Sequence, residues 1–317
     1  MDLRQAITNQ IIAMLEQGGN VFRERWTRAA SRGLPRNGKT GAPYHGANVL
    51  LLWDASIERG YASNVWLTYK QAAALGAQVR RGEKAVLCAH FERKVRGDRG
   101  DDAHGGEGRD SEEDDVARGG VLLCLPFWLF NVAQIDGLPD GLMTAPSPTN
   151  GGLPPSGESM PVVAAMRFIA ACGADVHHGF DRAAYAPSVD RILMPDVVRF
   201  TSPEAYCATV LHELVHWTGH AKRLHREFGR RFGDAAYAFE ELVAELGCAF
   251  VLGHIGLVDA TIEGHASYLD SWLHVLRQDR TAIFTAARLA GEAYEFIVSQ
   301  QVLADVERTG PAGQPDT

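Results

Sequence analysis

Twelve residues, Thr209–His220, TVLHELVHWTGH, constrain this chain more than any other stretch. His212 and His216 are four apart, so on a helix both imidazoles project from one face, with Glu213 beside them. The same helix carries an apolar stripe, Tyr206, Val210 and Leu214 with Cys207, Leu211 and Val215. It must therefore be buried while keeping two imidazoles together. Its start is written independently: Ser202 can cap, Pro203 suits the first helical position, and Glu204 is an acid in the first turn. It should stop near Gly219. The run DRILMPD at 190–196 reads as a short strand ahead of it.

His-Glu-x-x-His on a helix holds a divalent metal, most simply one Zn2+ per chain, with Glu213 as general base. The ion supplies Lewis acidity and lowers the pKa of its water toward about 7, and Glu213 takes the proton. A catalytic site needs a third protein ligand and an open fourth position. His220 lies about 12 Å along the helix from His212, which is too far unless the helix breaks at Gly219. A His at position 222 would complete a longer pattern, but Lys222 stands there. The next helix, roughly 236–252, contains FEELVAELG. Glu241 is the ligand of choice, and Glu245, one turn on, can orient a ligating His from behind. Glu245 and then Glu240 are the alternative ligands. Leu242, Val243 and Leu246 bury this helix, and buried carboxylates need a partner.

The 317 residues suffice for about two domains. The formal charge of −8 is unevenly spread. Residues 1–96 hold 15 Lys/Arg against 7 Asp/Glu, 97–119 hold 3 against 9, and 120–317 hold 13 against 23. Such asymmetry implies separate partners for the two halves. Residues 97–119 have almost no apolar side chains and lie between two strand-like runs, 84–95 and 119–132. They read as a mobile hairpin loop. Residues 137–161 hold six prolines and five glycines and read as a linker. The organisation expected is a nucleic-acid-binding domain over 1–136, a linker over 137–161, a metal domain over 162–308 and a disordered tail over 309–317. Helices are expected over 3–17, 47–60, 68–75, 162–172 and about 281–303. Five unpaired cysteines inside apolar runs imply a reducing compartment. No stretch resembles a signal peptide or approaches the roughly 20 apolar residues of a membrane span, so the expected location is cytoplasmic, without membrane association.

Between Arg23 and Lys94, basic residues alternate with aromatics, among them Trp26, Trp53, Tyr61 and Phe91. A positive groove with aromatic platforms is how single-stranded nucleic acid is held without sequence preference. The candidate contacts are Arg36, Lys39, Tyr44 and Asn48 in PRNGKTGAPYHGAN, Trp66, Tyr69 and Lys70 in WLTYKQ, and Arg80, Arg81 and Lys84 in QVRRGEK.

The stretches ITNQIIAMLEQG, LPRNGKTGAPYHGANVLLLW, WLTYKQAAALGAQVRRGEKA and FNVAQIDGLP resemble the N-terminal domain of ArdC-type antirestriction proteins, shared with TraC-type plasmid primases. YAPSVDRILMP, HELVHWTGHAKRL and FEELVAELGCAFV resemble the zincin-like metallopeptidase domain of the same proteins. The resemblance spans most of the chain outside 97–119 and the linker. It implies an α+β fold, with an N-terminal mixed α/β domain that binds single-stranded DNA joined to a zincin-like domain. It also implies protection of incoming plasmid DNA from host restriction during conjugation. It carries over His212, His216 and a glutamate of 240–245 as metal ligands and Glu213 as the catalytic residue. The departures are the enlarged acidic loop and the absence of a Trp near residue 22. A peptidase active on a host protein, a peptidase effector delivered with DNA, and a DNA-binding shield with a structural metal are the readings left open.

Overall fold

The computed structural model describes residues 2–16, 33–95, 120–143, 160–228, 235–257 and 269–309. The acidic loop, most of the linker, Arg23, Trp26 and the tail from 310 lie outside the described residues.

Helix α1, Leu3–Glu16, buries Ile7, Ile11, Met14 and Leu15, the one-face spacing expected of it. β1 is Arg36–Asn37. Helix α2, Ala47–Glu58, is apolar nearly all round and buries Val49 through Trp53 in succession. β2, Val65–Leu67, leads into α3, Tyr69–Ala74, through a capping box between Thr68 and Gln71. β3 is Gln78–Val79 and β4 is Val86–Val95. β5, Gly120–Asn131, pairs antiparallel with β4 from Val86↔Leu129 to Val95↔Gly120, so the two runs form the expected hairpin around the acidic segment. β6, Ile135–Asp136, pairs with β3. The main sheet has the order β1-β2-β5-β4.

α4, Asp140–Met143, lies within the 137–161 segment, and α5, Met160–Cys172, begins at its end. β7, Asp175–His177, β8, Ala184–Ala186, and β9, Arg191–Leu193, form a second sheet of order β7-β9-β8. Among the described residues β8 is therefore an edge. α6, Pro203–Thr218, starts where the sequence says: Ser202 accepts from the Ala205 amide, Pro203 opens the helix, and Gly219 is the C-cap. α7 is Ala235–Ile255, α8 Leu269–Gln278 and α9 Ala282–Thr309.

α7 has no polar face over most of its length because it packs on two sides. Leu242, Val243, Leu246 and Phe250 join Ile7 and Ile11 of α1 and Trp53 of α2 in one core cluster. Ala244, Cys248, Val251 and Ile255 join Val210, Leu211 and Leu214 of α6 in another. Trp53 and Phe250 touch, with ring centroids 6.0 Å apart. Helices from both sides of the 137–161 segment thus share a core. α6 and α7 meet closely at Gly247, where a Cβ would fall 2.9 Å from Val215 Cγ1. A larger residue there would force the helices apart, at about 1–3 kcal/mol. No helix among the described residues is long and apolar enough to cross a membrane.

Candidate metal centre and basic surface

One turn of α6 and the first turns of α7 build the centre. His212, His216 and Glu241 each offer a ligand atom within 4.8 Å of the others, and all three are buried. Glu241 Oε2 is 3.5 Å from His212 Nε2, and Glu241 Oε1 is 3.6 Å from His216 Nε2. Those separations are long for hydrogen bonds. They suit atoms sharing a third one: ligands about 2.0–2.2 Å from a tetrahedral ion lie roughly 3.4 Å from one another. Two imidazoles and a carboxylate are a donor set for a divalent metal, and the geometry fits one. Among the described residues the group has these three members.

Glu213, also buried, is held from the sheet side: its Oε2 accepts from the Tyr185 amide of β8 at 2.7 Å. β8 is itself clamped to the end of α6. The Tyr185 hydroxyl donates to Asp190 Oδ1 at 2.8 Å, and the Arg223 guanidinium bonds both Asp190 oxygens. Arg223 also lies 3.7 Å over the Trp217 ring. These contacts hold the Asp190 carboxyl at about 2, chiefly through the Arg223 hydrogen bonds working against burial. His220, set aside as a ligand, sits 3.7 Å from Asp190.

Glu240, an alternative ligand in the sequence reading, stands behind His216. Glu240 Oε1 is 3.2 Å from His216 Nδ1, and Arg226, buried, bonds both Glu240 oxygens. Glu245 is only partly buried and lies outside the metal-ligand group. Burial alone would raise the Glu240 carboxyl, but the bonds from His216 and Arg226 outweigh it and hold it below its ordinary range. In the metal-free chain burial opposes charge on His216, yet Glu240 and Glu241 push its pKa up to about 9. Arg226 has no sequence signal: it lies beyond the helix, in a segment with no period.

The basic candidates divide. Lys39, Lys70, Arg81 and Lys84 are exposed, and Tyr69 is 51% exposed. Four others are engaged within the fold. Trp66 is completely buried in the core, where no base can reach it. Asn48 spends its amide on both backbone groups of Ala89 in β4. Tyr44 packs on the core against Phe127, with ring centroids 6.4 Å apart. Arg80 is tied to Glu83, Asp136 and the Ala133 carbonyl. Arg36 is half-buried on β1. An aromatic that the sequence pattern does not single out is Trp128, 54% exposed on β5. Strand alternation puts it on the Phe130 face, and Phe130 packs with Leu67 and Ala72 of the α3 side. Trp128 and Tyr69 therefore stand on the same side of the main sheet.

A His-Glu-x-x-His helix with a glutamate from the next helix and a clamped edge strand defines a zincin-like metallopeptidase domain, and the family model for zincin-like metallopeptidases matches residues 163–289. A second family model, the N-terminal domain of anti-restriction factor ArdC, matches residues 1–119. The chain belongs to the ArdC family of antirestriction proteins. The metal-free crystal structure of antirestriction ArdC from plasmid R388 superposes with a TM-score of 0.74 at 34% identity, covering 96% of this chain and 99% of that one. The Mn(II)-bound structure of the same protein gives 0.71, covering 95% and 98%. An uncharacterized protein of Sinorhizobium fredii, y4eC, is 37% identical over 98% of this chain and 96% of its own length. DNA primase TraC of Escherichia coli is 35% identical over 93% of this chain, which spans only 27% of that longer protein.

Proposed function

We propose that this chain is a cytoplasmic antirestriction protein that holds single-stranded DNA on its N-terminal basic surface, protects incoming plasmid DNA during conjugation, and carries a hydrolytic metal centre of the metallopeptidase type. The grouping of His212, His216 and Glu241 beside a clamped Glu213 carries the metal part of this reading. Zn2+, one per chain, is the ion that this donor set suits best. When bound, it supplies Lewis acidity at the open position.

The chain's own groups supply the rest. Glu213 is the proton acceptor, held and aimed by the Tyr185 amide. His212, His216 and Glu241 hold the ion. Edge strand β8 borders the centre and is fixed by Asp190 and Arg223. The substrate class in this reading is an extended polypeptide, a host protein, laid along the edge strand that borders the centre. Lys39, Lys70, Arg81 and Lys84 supply phosphate contacts, and Tyr69 and Trp128 supply base-stacking faces. The relationship to DNA primase TraC supports an interaction with DNA.

Protection, in this reading, depends on holding DNA. The test is plasmid transfer into restricting and non-restricting recipients, with the triple variant Lys70→Ala, Arg81→Ala, Lys84→Ala beside Glu213→Gln. The triple variant should lose protection and Glu213→Gln should keep most of it. The reverse outcome would make proteolysis the protecting step.

A further inference from the structure

A buried arginine paired with a buried glutamate is costly to desolvate, and such a pair often contributes little to stability by itself. Arg226 is 7% exposed and Glu240 is 4% exposed, so the pair needs a reason. The side-chain hydrogen bonds of Arg226 all go to the segments of α6 and α7 that carry the metal ligands. Its Nη2 donates to the Val215 carbonyl at 2.6 Å and its Nη1 to Thr218 Oγ1 at 2.9 Å, which caps the open end of α6 in the turn that carries His216. Its Nε and Nη2 meet Glu240 Oε2 and Oε1 at 3.1 and 2.8 Å, at the start of α7 beside Glu241. Glu240 Oε1 in turn faces His216 Nδ1. The fold makes room for this guanidinium: a Cβ on Gly219 would lie 2.9 Å from Arg226 Nη2.

We infer that Arg226 is a positioning residue of the metal centre: through Glu240 it fixes which nitrogen of His216 faces the ion, and it brings the buried charge to the value a divalent ion balances. The first half follows from hydrogen bonding. A carboxylate held at Nδ1 keeps the proton on that nitrogen and leaves the Nε2 lone pair toward Glu241. The second half is a charge count. Glu213, Glu240 and Glu241 with one guanidinium leave two negative charges when both imidazoles are neutral. Arg226 also ties the ends of α6 and α7 that carry the ligands, so ligand spacing is set before metal arrives.

This inference rests on the metal reading above, and its test does not depend on hydrolysis. Full-length wild type, Arg226→Met, Arg226→Lys and Glu240→Gln are titrated with Co(II), whose visible ligand-field spectrum reports coordination geometry. Arg226→Met should bind Co(II) about 10–100-fold more weakly, the usual cost of losing a group that orients a ligand, and with an altered spectrum. Arg226→Lys should recover only part, because an ammonium cannot make the two parallel bonds to Glu240. Glu240→Gln should weaken binding within the same range, and it serves if Arg226→Met fails to fold. A purely structural cap would lower melting temperature and leave affinity and spectrum as in wild type. Wild-type affinity and spectrum in Arg226→Met, or in Glu240→Gln if the former does not fold, would overturn the inference alone. Failure of the wild type to bind Co(II) would overturn it together with the metal reading.

Discussion

The metal centre and the basic surface of this protein are built on opposite physical terms. At the centre each ligand is buried, each carboxylate has an assigned role, and ångström-scale spacing decides whether an ion is held. On the N-terminal surface the useful groups are exposed, few are oriented by neighbours, and their number matters more than their arrangement. Buried chemistry has to be stereochemically specified, so it leaves a short, periodic trace in sequence. Surface charge leaves only a composition.

That difference explains what is legible in the sequence. His212, Glu213 and His216 follow from helix period, and the limits of α6 follow from Ser202, Pro203 and Gly219. Glu241 is reachable because its helix is too apolar for a solvated acidic face. Arg226 and the Tyr185 clamp are not reachable, since both join segments whose proximity only the tertiary fold creates. Helix α8 lies outside the expected helices although Leu269, Trp272, Leu273 and Leu276 repeat at helical spacing, and the two-residue strands escape because two residues show no alternation. Among the basic candidates, Trp66 and Tyr44 look the same in sequence as Tyr69 and Trp128. Only the sheet decides which aromatic is core and which is surface. The expectation of separable halves meets a shared core, because an apolar helix such as α7 does not say how many partners it has.

The sharpest way to break the contrast is at Glu213. If the centre is hydrolytic, Glu213→Gln should lower peptide hydrolysis by about 10²–10⁴-fold while metal content and DNA affinity stay unchanged. Hydrolysis at wild-type rate would remove the general-base role.

Next in size is the exchange of two tryptophans. Trp128→Ala should weaken single-stranded DNA binding by about 1–3 kcal/mol, the usual worth of one base stack, with little change in melting temperature. Trp66→Ala should cost about 3–5 kcal/mol of stability as a core truncation. Equal DNA affinity for Trp128→Ala and wild type would show that Trp128 is not a stacking face.

A pH series sharpens the metal side. The folded pKa of His216 is raised to about 9 in the metal-free chain, against about 6.5 for an ordinary imidazole. Its contribution to metal-free stability is therefore complete below about pH 6.5 and is lost as pH rises through about 9. Metal must displace that proton, so affinity should climb about tenfold per pH unit toward 9 and then level. Thermal melts of chelated protein and metal titrations across that window read both trends, and a flat affinity would contradict the Glu240–His216 interaction.

The smallest expected effect is on the salt dependence of DNA binding. Removing Lys70, Arg81 and Lys84 together should make the slope of log K against log salt shallower by about 2, at roughly 0.7 for each phosphate no longer neutralised. An unchanged slope would move the binding surface elsewhere.

The most direct test of the whole account pairs metal analysis with DNA binding on the full-length chain. Wild type should carry one divalent ion per chain and bind single-stranded DNA. The double variant His212→Ala, His216→Ala should carry none and bind DNA as before. Stoichiometric metal in that variant would contradict the account, because the ion would then lie outside the centre built by α6 and α7.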